Sequence, residues 1–179
     1  VTQIRETLIA IKENNILKMY VDENVLHFMK NRDNEQALTD NEIIDATVMF
    51  VDICGFTAIS ESQSPDIVVR LLNTYFDEMV QEITVQNGSI DKFIGDCTMA
   101  LFRGDHHVDR AIKSALALRK KINELPFEYG FSPKISIGIN SGEMVSGNIG
   151  SPKLKRLDFT VIGDAVNTAQ RLQSLANEN

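Results

Sequence analysis

The sequence predicts an α/β protein, a sandwich with a ferredoxin-like split βαβ core, in which helices pack on a mostly antiparallel sheet behind an N-terminal helical segment. Three observations predict this class. From residue 45 onward, strand-like and helical spacings alternate, several strands follow one another without an intervening helix, and no internal repeat is present. With 179 residues, 43% of them hydrophobic, the chain is long enough to bury a core.

The first strand and the first helix of this core have clear boundary signals. Residues 46–53, ATVMFVDI, form a continuous apolar run that is typical of a buried central strand. Ser64 followed by Pro65 predicts the start of a helix, since serine caps helices and proline suits their first turn. Helical spacing then continues to Asn87-Gly88, where a turn is expected.

The rest of the core is predicted as two hairpins, a helix between them, a short strand and a last helix. These are the hairpin 89–94 and 98–102 turning at Gly95-Asp96, the helix 108–125, the hairpin 134–142 and 143–150, the strand 158–163 and the helix from Asp164. Residues 1–44 contain no glycine or proline and are predicted as a helical linker. A 4-3-4-3 spacing there fits either a short coiled-coil seam or an amphipathic surface helix, and both remain open. Its members are Ile4, Leu8, Ile11, Asn15 and Lys18.

The composition limits the classes of partner that we expect and indicates the cellular setting. There are 18 basic and 25 acidic side chains, giving a formal net charge of −7, which argues against general binding to nucleic acids. An anionic substrate would need a local positive side chain or bound cations. Cys54 and Cys97 are too few for a disulfide framework, and no signal peptide or membrane span is visible. We expect a cytoplasmic setting, with an upstream membrane segment left open.

Two aspartates are candidates for metal binding. Asp52 ends the buried strand and Asp96 lies at a hairpin turn. Carboxylates at the edge of an apolar strand are costly unless they are paired or bind a cation, so two that converge would suit Mg²⁺ or Mn²⁺. Each also has an ordinary explanation, as a strand-end cap or as a Gly-Asp turn residue.

A polar helix face near the end of the chain is the second candidate. In TVIGDAVNTAQR, Asn167 and Arg171 are four residues apart and share one helix face. Arginine suits phosphate, and an asparagine one turn earlier could orient a sugar. By spacing alone, an ordinary polar surface is the better explanation.

Four blocks, FVDICGFTAIS, DKFIGDCTMALF, GINSGEMVSGNIGS and DFTVIGDAVNTAQRLQ, together resemble the class III nucleotidyl cyclase catalytic domain over residues 45–179. MYVDENVLHFM is similar to the transducer element that precedes such domains. Family domains continue through further strands carrying a triphosphate-binding lysine. The sequence lacks them up to Asn179, and whether the native chain has them is left open.

The resemblance implies a role for each site residue. Two Mg²⁺ or Mn²⁺ ions per site would be held by Asp52, Asp96 and the Ile53 carbonyl. Substrate-binding positions would be Lys92 and Thr160 for the purine, with Phe56 and Thr57 nearby, while Asn167 would orient the ribose and Arg171 would stabilise the transition state.

The same resemblance implies the reaction, in which the ribose 3′-oxygen of ATP attacks the α-phosphate to give 3′,5′-cyclic AMP and pyrophosphate. Lysine only donates hydrogen bonds, so Lys92 suits adenine N1 and mismatches the guanine N1–H; the Thr160 hydroxyl can donate or accept. The proton acceptor stays open between Asp52, substrate phosphate and water. Guanylyl cyclase activity and a catalytically silent dimerisation domain are the alternatives.

Family members share their sites across a head-to-tail homodimer. The metal aspartates would come from one subunit, and the purine pair, Asn167 and Arg171 from the other. An upstream sensor or regulatory domain is the further partner that the transducer-like segment implies.

Overall fold

The computed structural model describes residues 41–126, 128, 134–151, 153 and 156–177. The predicted seam and the transducer-like segment, both within residues 1–40, lie outside the described residues. The described elements are β1 (Glu42–Ile53), α1 (Phe56–Ser62), α2 (Pro65–Val85), β2 (Ser89–Ile94), β3 (Cys97–Arg103), α3 (His107–Glu124), β4 (Ile135–Ser151), β5 (Arg156–Ile162) and α4 (Asp164–Asn177). Among these helices, none is both long and apolar enough to cross a bilayer.

The five strands form one sheet in the order β2-β3-β1-β4-β5. β1 pairs antiparallel with β3 and with β4, and β2 pairs antiparallel with β3. The first four strands therefore have the split βαβ arrangement, with β3 inserted between β1 and β2. The predicted fold class is confirmed. Asn41–Ser146 and Thr160–Asn179 make up one compact unit, while 147–159 fall outside it.

β1 is buried on both faces, which explains its continuous apolar sequence. Successive side chains of a strand alternate between faces. Met49 and Val51 join a core with α2 and α3, whereas Val48 and Phe50 join a second core with α4. The polar Asp52 lies near the end of this strand, one residue before Ile53 of the first core.

Three sequence expectations need correction. The hairpin predicted within 134–150 is wrong, because β4 runs unbroken for 17 residues and its pairing with β1 extends from Glu42↔Ser146 to Ile53↔Ile135. Gly142 therefore lies in the ladder opposite Ala46 instead of turning the chain. β1 also begins at Glu42, inside the segment expected to be helical, and the short helix α1 was not predicted.

α4 approaches the sheet most closely at Gly138 of β4. A Cβ atom at this position would lie 2.1 Å from the Ala169 carbonyl oxygen and 2.2 Å from the Gln173 amide nitrogen. Both neighbours are helix backbone, which cannot rotate away as a side chain can. The absence of a side chain at Gly138 therefore determines how close α4 lies to the sheet.

We expect Gly138→Ala to destabilise the protein by roughly 2–3 kcal/mol, because overpacking would push α4 off β4. Urea denaturation followed by circular dichroism measures the difference. Gly104→Ala is the matched control: no atom lies within 4 Å of its Cβ position, and only its positive φ of 75° opposes the change. That strain costs about 1 kcal/mol. Equal losses at the two positions would contradict the close-packing explanation.

Candidate active site

The two predicted metal-binding aspartates lie together at one end of β1. In the ladders, Asp52 is opposite Cys97 of β3 and Ser136 of β4. Asp96 immediately precedes Cys97 in the β2–β3 turn, so antiparallel pairing brings it beside Asp52. Burial and, as the smaller cause, the negative charge of Asp96 together raise the pKa of Asp52 to about 6. The two carboxylates are thus close enough to repel each other.

This pair fits a divalent cation. Carboxylate oxygens are the ligands that Mg²⁺ and Mn²⁺ prefer, and a bound cation would offset both the burial and the Asp96 charge that raise the Asp52 pKa. No group of three or more histidine, cysteine, aspartate or glutamate side chains suited to a metal occurs in the described part of the chain. Further ligands would have to be backbone oxygens, water or substrate phosphate. The Ile53 side chain is core, so only its carbonyl is suitable.

The two cysteines beside these aspartates are not reactive nucleophiles. Burial, with the charges of Asp52 and Asp96, raises the pKa of Cys97 to about 12. Burial also raises the pKa of Cys54 above its ordinary value. Because the thiolate is the reactive form, both side chains are protonated near neutral pH and act as small packing groups.

Lys92 and Thr160, the predicted purine-reading pair, are joined by a third residue. The Thr160 hydroxyl donates a hydrogen bond to Asp91 Oδ2 at 2.7 Å. Lys92 Nζ lies 3.7 Å from the same oxygen. β2 and β5 are the two ends of the strand order, and the hydrogen bond between Thr160 and Asp91 joins them at this point.

A β-bulge explains how neighbouring residues of one strand reach the same place. Ile90 pairs with Ala100 and Lys92 with Met99, which leaves Asp91 as the extra residue. In a regular strand, Asp91 and Lys92 would point to opposite faces, but a bulge redirects a side chain locally. Asp91 was missed from the sequence, because nothing in IDKFIGD indicates a bulge.

Asn167 and Arg171 lie one turn apart on α4, as predicted. Both are exposed and line a cleft of about 590 Å³. Its other lining residues are Gln170, Ser174 and Leu175. Neither Asp52 nor Asp96 lines this cleft, so the arginine and the carboxylate pair occupy different places in one chain.

Two side-chain hydrogen bonds hold α4 against β4. Gln173 Nε2 donates to Ser136 Oγ at 2.7 Å, and Asn140 Nδ2 donates to the Ala165 carbonyl at 3.3 Å. Ser136 is also the cross-strand partner of Asp52. The sheet-facing side of α4 is therefore hydrogen-bonded to Ser136, the strand residue paired with Asp52. No pattern in the sequence predicts this contact.

Phe56 and Thr57, the remaining predicted substrate contacts, begin α1. Phe56 is 7% exposed and its side chain belongs to the core with α2 and α3, so little of that side chain is available to contact a substrate. Its backbone amide is the part that could. Thr57 is exposed. For both residues, substrate contact stays a prediction.

The chain belongs to the Adenylate and Guanylate cyclase catalytic domain family, whose model matches residues 38–179. The resemblance drawn from the motifs is confirmed. An adenylate cyclase of Anabaena cylindrica is 39% identical over 140 residues, covering 74% of this chain and 27% of that protein. The chain spans about a quarter of the length of the curated relatives it matches, 25% and 27% in two of them.

Solved structures extend the similarity to the fold. A bacterial light-regulated adenylyl cyclase superposes with a TM-score of 0.83 at 30% identity, covering 98% of this chain and 52% of that one. The guanylyl cyclase Cya2 gives a TM-score of 0.67 at 35% identity, covering 76% of this chain and 71% of that one. The similar structures thus include both nucleotide specificities.

Asp52→Asn should stabilise the metal-free protein at pH 7.5 and leave it unchanged near pH 3. The folded-state pKa of Asp52 lies at about 6, above its ordinary value of 3.8. Protonation therefore favours the fold below the ordinary value, and that stability is lost as pH rises through the folded-state pKa. Asparagine mimics the protonated form. We expect a gain of roughly 1–2 kcal/mol, allowing for solvent screening of a half-buried group.

The measurement is urea denaturation of both proteins at the two pH values, with chelator present at pH 7.5. Asp77→Asn removes one exposed carboxylate of α2 and is the charge-matched control. A loss of stability in Asp52→Asn at pH 7.5 would contradict the conclusion that burial and the Asp96 charge make the ionised Asp52 carboxylate unfavourable. Adding Mn²⁺ should stabilise the wild type more than the Asp52→Asn variant.

Proposed function

We propose that this domain is an adenylyl cyclase, which converts ATP to 3′,5′-cyclic AMP and pyrophosphate. The observation that carries the proposal is the pairing of Lys92 and Thr160 around the Asp91 carboxylate. Adenine presents an acceptor at N1 and a donor at N6. A lysine beside a hydroxyl that can accept matches this pattern, whereas a lysine facing the guanine N1–H would leave two donors unpaired.

Similarity alone does not choose between the substrates, because adenylyl and guanylyl cyclases both occur among the similar structures. The alternative of a guanylyl cyclase is disfavoured by Lys92. The alternative of a silent dimerisation domain would be favoured by the loss of a metal aspartate, the asparagine or the arginine. All four are present, as Asp52, Asp96, Asn167 and Arg171. That the triphosphate-binding lysine of the family is not found before Asn179 is the one observation in favour of that alternative.

The chemistry follows from the charges of the site. Class III cyclases are generally metal-dependent, and when bound at Asp52 and Asp96 the ions would supply Lewis-acid stabilisation of the α-phosphate and lower the pKa of the ribose 3′-hydroxyl. Asp52 and Asp96 would orient this positive charge. Asn167 would hold the ribose, and Arg171 would stabilise the negative charge that develops during phosphoryl transfer.

A complete site would require two copies of the chain. The cleft that Arg171 lines contains neither metal-binding aspartate, and α4 exposes apolar side chains, with Leu172 at 43% and Leu175 at 57% exposure. A head-to-tail homodimer would bring the Arg171 cleft of one copy against the Asp52 end of the other, twice by symmetry. The similar light-regulated protein is about twice as long, and an upstream regulatory domain is the corresponding proposal for this chain.

Incubation with ATP or GTP and Mn²⁺, followed by quantification of both cyclic nucleotides, tests the activity. We expect cyclic AMP, and Asp52→Ala should abolish it while Asp77→Ala should not. Cyclic GMP as the main product would support the guanylyl alternative. No product from either nucleotide in the full-length protein would exclude both cyclases.

Mixed dimers test the sharing of the site. Asp52→Ala and Arg171→Ala should each inactivate a homodimer, but a heterodimer of the two retains one site with all its residues. Purified through two different tags, that heterodimer should recover about half the wild-type turnover per dimer. Co-purified homodimers of each variant are the controls. Failure of a verified heterodimer to recover activity would refute the shared site.

A further inference from the structure

We propose that Asp91 is a positioning residue that determines the preference for ATP over GTP by fixing the direction of the Thr160 hydroxyl hydrogen. The inference rests on the proposed function, because it assigns a role within the purine-reading pair. Asp91 touches Lys92 and Thr160, and its effect on the purine passes through them.

The hydrogen bond between Asp91 and Thr160 is well formed, and both side chains are buried. The Asp91 side chain is 6% exposed, and Thr160 is 8% exposed. The 2.7 Å distance between Thr160 Oγ1 and Asp91 Oδ2 is typical of a strong hydrogen bond from a hydroxyl to a carboxylate. The Lys92 ammonium at 3.7 Å supplies the positive charge that a buried carboxylate needs.

The hydrogen bond to Asp91 leaves the Thr160 hydroxyl able only to accept a hydrogen bond from a purine. A hydroxyl has one hydrogen and two lone pairs, and an ionised carboxylate can only accept. With its hydrogen committed to Asp91, Thr160 has only lone pairs left to offer a purine. These match the N6 amino group of adenine and repel the O6 oxygen of guanine. A threonine that would otherwise suit both bases becomes selective for one.

The local backbone is adapted to this contact. The bulge at Asp91 interrupts the pairing of β2 with β3 between Ile90 and Lys92. In a regular strand, Asp91 would lie on the opposite face from Lys92 and could not reach both partners. Burial of the carboxylate and an irregular strand both oppose stability, which is the pattern expected where specificity is the function.

Asp91→Asn tests the inference, because the amide has a similar shape but can donate to Thr160 as well as accept from it. The Thr160 hydrogen is then free to turn toward guanine O6. We expect the ratio of kcat/KM for ATP to that for GTP to fall about ten-fold, the size of one mismatched hydrogen bond. Cyclic AMP formation at saturating ATP should fall by less than about three-fold, since the reacting groups are untouched.

Two further variants separate positioning from a structural role. Thr160→Val removes the hydroxyl and should produce a similar loss of preference. In that background, adding Asp91→Asn should change the ratio by less than about two-fold, because the intermediary is gone. Asp77→Asn, which removes one exposed carboxylate, should leave the ratio unchanged. A purely structural role for Asp91 would lower turnover of both nucleotides equally, and an unchanged ratio in Asp91→Asn or in Thr160→Val would overturn the proposal.

Calorimetry in the presence of Ca²⁺ gives the dissociation constants of ATP and GTP, and their ratio reports the purine preference without turnover. If the wild type forms no cyclic nucleotide, the proposed function fails, while a ten-fold narrower binding preference in Asp91→Asn still supports the role of Asp91. If the wild type forms cyclic AMP and the variant binds both nucleotides in the wild-type ratio, only the role of Asp91 fails. Thermal denaturation confirms that each variant is folded.

Discussion

The pairing of β1 with β3 and β4 is the constraint on which the rest of the described structure depends. Both faces of β1 are buried, so a slip of one residue would exchange the side chains of two cores. That requirement fixes the register, and the register fixes Asp52 opposite Cys97 and Ser136. Through Cys97 it places the Asp96 turn, and through Ser136 it reaches α4. The positions of the candidate site residues thus follow largely from the packing of one strand.

The site opposes the stability that this packing provides. Asp52 is a half-buried carboxylate beside Asp96, and its pKa is raised mainly by burial and in smaller part by the Asp96 charge. Asp91 is buried in an irregular part of β2. The Asp91 carboxylate is compensated within the chain by Lys92 and Thr160, whereas Asp52 and Asp96 would be compensated by a bound cation.

The features that could be predicted from the sequence are those that depend on residues close together in the chain. The apolar run of β1, the Ser64-Pro65 helix start and the Gly95-Asp96 turn depend on neighbouring residues, so the fold class and the positions of Asp52 and Asp96 could be anticipated. The continuity of β4 could not, because Asn140-Ser141-Gly142 resembles a turn until β1 pairs across it. The contact of Asp91 with Thr160 spans 69 residues and depends on a bulge, so no local pattern announces it.

The arrangement of one chain bears on how a dimer would be regulated. α4 carries Asn167 and Arg171 for one proposed site, while Asp52 and Asp96 serve the other. Within the chain these parts are held rigidly, since Gly138 leaves no space under α4 and Gln173 binds Ser136 beside Asp52. Moving α4 relative to the carboxylates would break this packing. Moving one copy relative to the other would cost less free energy than moving α4 within a chain. The Arg171 cleft is exposed, so such a movement would not disrupt a packed core. Control by an upstream segment would therefore act on the dimer interface and leave the interior of each domain unchanged.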